Sequence, residues 1–333
     1  MRIAVTGSIA TDHLMVFPGR FSDHLLAEQL DRVSLSFLVD TLEIRRGGVA
    51  ANIALGLGRL GLNPLLVGAV GPDFEDYRVR LQSHGVDTAH VRVSASRHTA
   101  RFVCTTDADR NQIASFYAGA MSEAREIDLA PVASLAGGLD LVVVSPNDPQ
   151  AMLRHTRECR ELGLDFAADP GQQIANLEGP DLRQLIDGAT LLFTNEYEAT
   201  LLCKHTGRSR EEILSVVGTW ITTRGAEGVL VQRFGRPDEL VPVVPAAEPV
   251  EPTGLGDAFR AGFLAAVSWG LSAVPAARLG CALASAALEV VGPQDYRLDS
   301  ESLSTRLRGA YGAAAAEELI AHLIGTSQVG GRR

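Results

Sequence analysis

The chain alternates short, apolar, β-rich runs with amphipathic or alanine-rich segments, most of them long enough to form helices. Because strands separated by helices pair in parallel and are covered on both faces, this alternation predicts an α/β fold, a three-layer sandwich around a central, mostly parallel sheet. In such a sheet ligands bind outside the carboxyl ends of the strands. The predicted strands are 3–7, 65–70, 139–145, 164–169, 190–194, 219–223 and 229–233, and the predicted helices include 49–60, 151–162, 196–204 and 210–217.

Two segments, at about 13–46 and 97–118, interrupt this alternation. The second contains RFVCTTDADRNQIASFY, two strand-like arms around a turn at 107–110, which is typical of a β-hairpin. We expect both segments to form a small β lid on a single domain that spans residues 1–333. Unpaired strand edges invite pairing with a second chain, so the sequence also predicts a homodimer through the lid.

Composition excludes several classes of partner. The formal charge is −10, so no broad basic face is expected for nucleic acid. No basic-then-apolar leader and no run of 18 apolar residues occurs, which predicts a cytoplasmic protein without a membrane partner. The cysteines form no C-x-x-C pair, so we interpret them as reduced core thiols: Cys104, Cys159, Cys203 and Cys281.

Lys204 is the only lysine of the chain. A Walker A loop requires G-K-[ST], and a protein kinase requires the lysine of a V-A-I-K strand. Neither can be present here.

Gly56, Gly58 and Gly61 spell G-x-G-x-x-G, and Asp76 follows 20 residues after the first of them. This spacing is that of a dinucleotide-binding fingerprint. The preceding apolar residues, however, recur at helical rather than strand spacing. We therefore interpret the motif as the end of a helix, with Gly61 as its C-cap.

The stretch EPTGLGDAF, residues 251–259, lies between an extended, proline-rich run and an apolar pattern of helical period. A helix is thus predicted to begin near Gly256 or Asp257. Gly254 and Gly256 allow a sharp turn and a close approach to a ligand, and the first N–H groups of the helix are free to hold an anion. Asp257 has two interpretations at this stage, a catalytic carboxylate or an acid that stabilises the helix dipole.

A second glycine pair, in RRGGVAAN at 45–52, precedes another predicted helix. Together the two stretches resemble the two signatures of the ribokinase-like (PfkB) family of sugar and nucleoside kinases. VGAVGPDFED, DPGQQ, TNEYEA and TRGAEGVLV lie between them in the order and approximate spacing of that family. The resemblance covers nearly the whole chain.

For phosphoryl transfer, the resemblance implies that Asp257 is the general base. It also implies that the N–H groups of Gly254, Leu255 and Gly256 form the anion hole. Phosphoryl transfer mainly requires positioning and charge stabilisation, which helix-start amides and Mg²⁺ can supply without a lysine.

The resemblance further implies ATP as phosphoryl donor and Mg²⁺ held through water by Asn195 and Glu198. Mg²⁺ keeps most of its waters and needs few protein ligands. The alternative for these two residues is a capping box at a helix start, which is compatible with the metal role. The residues that would contact ATP, with a plain tight hairpin as their alternative, are Thr223, Arg224, Gly225 and Gly228. They are joined by Gly256 and Asn195.

For the phosphate acceptor, the resemblance implies that Asp12, Asn52, the amide of Gly48 and Ser8 bind sugar hydroxyls. A turn residue is the alternative for Asp12. Carboxylate and amide groups that converge on a diol are suited to this recognition because they accept and donate in fixed directions.

Residues 111–121, NQIASFYAGAM, resemble the lid strand of adenosine kinases. Phe102 and Phe116 could stack on a purine or pack within the lid, and Gln172 and Gln173 could meet the base edge or lie in a solvated loop. Adenosine is therefore the favoured acceptor. A free-sugar kinase for ribose or fructose and a non-catalytic nucleoside-binding protein are the alternatives.

Glu251 and Pro252 depart from the family pattern, which often has aspartate at the position of Glu251. In the family this part of the loop can take part in binding a monovalent cation. A K⁺ site is thus an open alternative at this position.

Overall fold

The computed structural model describes residues 1–24 and 35–327. Its strands are β1 (Ile3–Thr6), β2 (Ala10–Val16), β3 (Thr41–Gly47), β4 (Leu65–Val70), β5 (Val91–Val93), β6 (Ala100–Thr106), β7 (Gln112–Tyr117), β8 (Leu141–Val144), β9 (Phe166–Ala168), β10 (Leu191–Asn195), β11 (Thr219–Thr223), β12 (Val229–Gln232) and β13 (Glu239–Val241). The helices are α1 (Val49–Arg59), α2 (Glu75–Ser83), α3 (Leu129–Leu135), α4 (Pro149–Leu162), α5 (Gly179–Ile186), α6 (Glu196–Thr206), α7 (Arg210–Leu214), α8 (Leu255–Ser268), α9 (Ala273–Leu288), α10 (Ser300–Tyr311) and α11 (Ala313–Ser327).

The central sheet has the strand order β13-β12-β11-β10-β9-β8-β1-β4-β5. Its strands are parallel except for the antiparallel pairs β11–β12 and β12–β13. Every predicted strand is present, within two residues at each end. The edge strands β5 and β13 were not predicted, because each has only three residues and little apolar pattern.

Helices cover both faces of this sheet. Val5 of β1 packs in the apolar layer that contains residues of α1, α8 and α9, whereas Ala4 packs in the opposite layer with residues of α4, α5 and α6. Since both faces are buried, the strands are almost continuously apolar rather than alternating. The predicted three-layer α/β fold is confirmed.

A separate, smaller sheet has the order β3-β2-β6-β7. The hairpin predicted at 97–118 is present as the antiparallel pair β6–β7. The other predicted segment, 13–46, contributes β2 and β3, which begin earlier and end later than predicted, at Ala10 and Gly47. Residues 25–34 of that segment lie outside the described residues.

The G-x-G-x-x-G motif lies within and just after α1, and Gly61 follows the helix at φ +80°. The N–H groups of Gly61 and Leu62 donate to the carbonyl oxygens of Gly58 and Leu57, which closes the helix in a Schellman arrangement. A Cβ on Gly56 would lie 2.5 Å from the Cβ of Ala261 in α8. This glycine therefore allows α1 and α8 to pack closely.

Candidate active site

One row of residues crosses three strands of the smaller sheet on the face that covers the central sheet. Asp12 pairs in register with Phe102, and Phe102 pairs with Phe116. All three side chains line a cavity of about 470 Å³. Its lining contains all nine predicted acceptor residues, Ser8, Asp12, Gly48, Asn52, Phe102, Phe116, Gln172, Gln173 and Asp257.

The start of α1 forms one wall of this acceptor cavity. Gly48 is the N-cap residue, at φ +95°, and a Cβ there would lie 2.5 Å from the carbonyl oxygen of Ser8. The hydroxyl of Ser8 accepts a hydrogen bond from the N–H of Val49 across 3.0 Å. Ser8 thereby holds the turn that brings Asn52, one helical turn later, into the cavity wall.

The start of α8 forms the floor. Gly254 is the N-cap residue, at φ +79°, and the helix begins at Leu255, one residue before the predicted start. A Cβ on Gly254 would lie 2.4 Å from the Cβ of Pro293, so the position requires glycine for space as well as for conformation. The N–H of Leu255 reaches the carbonyl oxygen of Pro252 only at 3.4 Å. Within the described residues, the N–H groups of Gly254 and Gly256 donate to no backbone carbonyl, as an anion hole requires.

Asp257 lies at the end of a buried chain of hydrogen bonds. Its carboxylate accepts from the Asn52 amide across 2.8 Å, and Asn52 in turn accepts from Gln294 across 2.7 Å. Gln294 also donates to the hydroxyl of Tyr77, which donates to the carbonyl oxygen of Gly47. The chain fixes the Asn52 amide with its donor towards the carboxylate.

Burial raises the pKa of Asp257 to about 6, although the hydrogen bond from Asn52 and the charge of Arg260 lower it. Burial also raises the pKa of Asp12, against the nearby charge of Arg45. A buried carboxylate with a pKa in this range is suited to accept a proton near neutral pH.

A second cavity, of about 390 Å³, lies on the other side of the α8 start. Four of the residues predicted to contact ATP line it, Thr223, Gly225, Gly228 and Gly256, together with Leu255 of the predicted anion hole. Most of its lining is apolar and comes from residues that the sequence did not indicate, among them Val243, Val244, Pro245, Ala246, Pro249, Phe259, Ala284 and Leu288. Asp257 lines the first cavity, whereas Leu255 and Gly256 line the second, so both cavities border the first turn of α8.

Asn195, also predicted to contact ATP, does not line this second cavity. Arg224 does not line it either. Its guanidinium forms ion pairs with Glu196 and Glu227. An ATP contact by Arg224 would thus require that it leave these partners. Arg224 differs from the prediction because these two nearby glutamates hold its side chain.

Asn195 and Glu198 form the capping box that was the alternative at these positions. The Asn195 side chain accepts from the Glu198 N–H across 2.7 Å, and the Glu198 carboxylate accepts from the Asn195 N–H across 2.8 Å. Among the described residues, Glu198 uses only Oε2 for hydrogen bonds, so Oε1 remains able to bind a water of a hydrated cation. In the part of the chain that the structure describes, no group of three or more His, Cys, Asp or Glu residues could hold a metal ion directly.

The two glutamines of the DPGQQ segment differ. Gln173 donates to the carbonyl oxygen of Asn147 across 2.8 Å and accepts from Asn176 across 3.1 Å, so its amide is held by the protein. Gln172 is exposed at the cavity rim. Sequence reasoning missed Pro146, Asn147 and Asn176 in the acceptor cavity, since loop residues of these types carry no local signal. It also assigned no role to Met121, which lies in the 3-10 helix Gly119–Glu126.

A recess of about 690 Å³ lies at the amino ends of the strands, lined in part by Arg2, Asn63 and Asp140. It contains none of the predicted site residues. In parallel α/β sheets ligands bind at the opposite, carboxyl ends, where both cavities described above lie.

Comparison with known proteins places this architecture among phosphotransferases. The chain belongs to the pfkB family of carbohydrate kinases, whose profile matches residues 8–300. It is therefore a nucleoside or sugar kinase of the ribokinase superfamily, and the family uses ATP as phosphoryl donor.

Three relatives illustrate the range of the similarity. The chain is 31% identical to a nucleoside kinase of Methanothermobacter thermautotrophicus over 271 residues, which cover 80% of this chain and 85% of the relative. It is 26% identical to the ribokinase of Bacillus subtilis, over 74% of this chain and 83% of the relative. A solved nucleoside kinase of Burkholderia thailandensis, in complex with inosine, superposes with a TM-score of 0.80 at 36% identity and covers 93% of this chain and 98% of that one.

Across residues 1–24 and 35–327, none of the helices is both long enough and apolar enough to span a bilayer.

Proposed function

We propose that this chain is a nucleoside kinase that transfers the γ-phosphoryl group of ATP to the 5′-hydroxyl of adenosine, giving AMP and ADP. One observation carries the proposal: Asp257, in the first turn of α8, lines the same cavity as Asp12, Phe102 and Phe116. Just before it in the chain, the N–H groups of Gly254 and Gly256 donate to no backbone carbonyl of the described residues. This cavity offers a carboxylate for a ribose diol and two aromatic rings for a base.

The relatives support a nucleoside, and one of them supports a purine nucleoside. The Methanothermobacter relative is a nucleoside kinase, and the Burkholderia kinase was solved with inosine. Phe102 and Phe116 lie directly opposite each other across the β6–β7 pair. Stacking of a base on an aromatic ring contributes about 1–3 kcal/mol.

In the proposed mechanism Asp257 accepts the proton of the 5′-hydroxyl while the hydroxyl oxygen attacks the γ-phosphorus. A new O–P bond forms, the bond from the γ-phosphorus to the β,γ-bridging oxygen breaks, and ADP leaves. The N–H groups of Gly254, Leu255 and Gly256 stabilise the charge on the transferring phosphoryl oxygens. The hydrogen bond from Asn52 keeps the Asp257 carboxylate directed into the cavity.

Mg²⁺ fits the donor set at the start of α6, where Oε1 of Glu198 makes no hydrogen bond to the described residues. When bound there through water, with Asn195 beside it, Mg²⁺ would neutralise charge on the phosphates of ATP. The capping box keeps Glu198 in place for this role.

K⁺ does not fit the carboxylate of Glu251. Both of its oxygens already accept hydrogen bonds, from Arg45, Thr253 and the N–H of Gly292. We therefore assign no step of the reaction to a monovalent cation.

A homodimer through the smaller sheet remains part of the proposal. Leu42 and Ile44 of β3 and Ile113 of β7 expose apolar side chains. β3 and β7 are the edge strands of this sheet among the described residues, and a second copy of the sheet would cover the exposed apolar groups beside them. The expected cytoplasmic location agrees with a nucleotide-dependent reaction.

Transfer of labelled phosphate from ATP to adenosine, inosine, ribose and fructose tests the proposed substrate. We expect the highest kcat/KM with adenosine. A higher value with ribose or fructose would instead support the sugar-kinase alternative, to which the 26% identical ribokinase also points. Adenosine binding without turnover would support a non-catalytic nucleoside-binding protein.

A further inference from the structure

Arg260 is a buried arginine of α8, one turn after Asp257, that the mechanism above does not use. Its side chain is 10% exposed and forms a two-point ion pair with Asp169, whose side chain is 1% exposed. Nη2 donates to Oδ1 across 2.6 Å, and Nε lies 2.6 Å from Oδ2. Asp169 directly follows β9, so the pair joins α8 to the carboxyl edge of the central sheet.

The guanidinium of Arg260 lies against the anion-hole turn. A Cβ added to Gly256 would lie 2.8 Å from Nη1, although the backbone of Gly256 is helical and would accept any residue. A larger residue in place of the second glycine of G-L-G-D would thus require the guanidinium of Arg260 to shift. The ring of Phe193, with its centroid 5.6 Å from Cζ, supports the guanidinium from the sheet side.

We propose that Arg260, held by Asp169, is a positioning residue for phosphoryl transfer. It fixes the turn at Gly254–Gly256 against the central sheet, and it places a positive charge near the carboxylate of Asp257. The inference rests on the function proposed above, and it assigns to this ion pair a part in the reaction. Nη1, the nitrogen nearest to Gly256, makes no hydrogen bond to the described residues.

The charged and titratable groups around Asp257 are few. Arg260 is the cation that lowers the pKa of Asp257, while Asn52 from α1 donates a hydrogen bond without a charge. Tyr296, which follows α9, is neutral, because burial raises its pKa to about 12. The charges of Asp169 and Glu198 act on the guanidinium, and Asp169, whose pKa burial raises to about 6, also interacts with the charge of Asp257.

This arrangement predicts opposite effects for the two members of the pair. Removal of the positive charge should make Asp257 harder to ionise, and removal of the Asp169 charge should make it easier to ionise. A pair that only stabilises the fold would not produce shifts of opposite sign.

The test is the pH profile of kcat for phosphate transfer to adenosine. The acid limb of this profile is the pH range in which kcat falls as the general base becomes protonated. In Arg260→Met we expect kcat to fall about tenfold or more and the acid limb to shift to higher pH by about 0.5–1 pH unit. Arg260→Lys should return the acid limb to its wild-type pH but recover only part of kcat, because lysine keeps the charge and cannot form the two-point pair with Asp169. In Asp169→Asn the limb should move down. If all three variants keep the wild-type limb, the inference is wrong.

Arg260→Met leaves Asp169 buried without its partner, and such variants can fail to fold. The double variant Asp169→Asn/Arg260→Met removes both charges and should still show the upward limb, since Arg260 lies one helical turn from Asp257 and its charge lowers the pKa of that carboxyl. A downward or unchanged limb in the double variant would contradict the proposal.

A second readout does not require turnover. Protein labelled with ¹³C at the aspartate carboxyl carbon allows NMR titration of Asp257, whose signal is the one missing from Asp257→Asn. If no acceptor is phosphorylated, the proposed function fails, while the titration still tests the charge effect. The inference fails by itself if adenosine is phosphorylated and the Asp257 titration midpoint is the same in wild type, Arg260→Met and Asp169→Asn.

Discussion

Asn52 of α1 donates a hydrogen bond across 2.8 Å to the carboxylate of Asp257 in α8, although 205 residues separate them in the chain. The bond joins the two glycine-led helix starts that form the wall and the floor of the acceptor cavity. Each helix thus holds the functional side chain of the other in place.

Replacement of Asp257 by Asn should lower kcat by about 10²–10⁴ and leave the binding of adenosine and ATP largely unchanged, because it removes only the proton acceptor. Steady-state kinetics and calorimetric titration with adenosine measure the two effects. Asp76→Asn, an exposed carboxylate in α2, is the matched control and should keep wild-type kcat. A kcat of Asp257→Asn within twofold of wild type would falsify the assignment of the general base.

The same Asp257→Asn variant should be more stable than the wild type at neutral pH. The pKa of Asp257 is about 6 in the folded protein and near 3.8 when unperturbed, so ionisation destabilises the fold as pH rises from about 4 to 6. Above that range Asn should raise the free energy of unfolding by about 1–3 kcal/mol. Urea denaturation at pH 5 and pH 8 measures this gain, which should be smaller at pH 5; an equal gain at both values would contradict the buried-carboxylate assignment.

The pH dependence of kcat/KM for adenosine should show an acid limb near pH 6. Asp257 must be ionised to accept a proton, and burial raises its pKa to about 6, so the rate should fall about tenfold per pH unit below that value. The measurement uses saturating ATP between pH 5 and pH 8. A profile that is flat down to pH 5 would show that the rate does not depend on this carboxylate.

Replacement of Phe116 by Ala should raise KM for adenosine by about tenfold, because stacking of the base is lost, with little change in KM for ATP. Ile113→Ala is the matched control. Ile113 lies on the same strand, but its side chain is on the opposite face of the sheet. It does not line the cavity and is 47% exposed. Equal effects of the two substitutions, or equal effects on both substrates, would assign Phe116 to packing of the smaller sheet.

Much of the fold could be predicted from local sequence patterns. The strands of the central sheet from β1 to β12, apart from β5, and the hairpin β6–β7 follow from apolar runs and a polar turn, which are properties of neighbouring residues. The short strands β5 and β13 were missed because pairing with a longer neighbour, rather than their own sequence, makes them strands. The helices α2, α3 and α5 were also not predicted, being short or rich in polar residues.

By itself, the sequence determined the alternating α/β layers, the two glycine-led helix starts and the acid at the start of α8, because each depends on residues close together in the chain. The tertiary structure alone decided that Gln294 and Tyr77 extend the hydrogen-bond chain from Asp257, and that apolar residues from 243 to 249 line the second cavity. It also decided that Arg260 pairs with Asp169, 91 residues away. A buried charge requires a partner, but which distant residue meets it depends on how the strands and helices pack, and local sequence does not encode that.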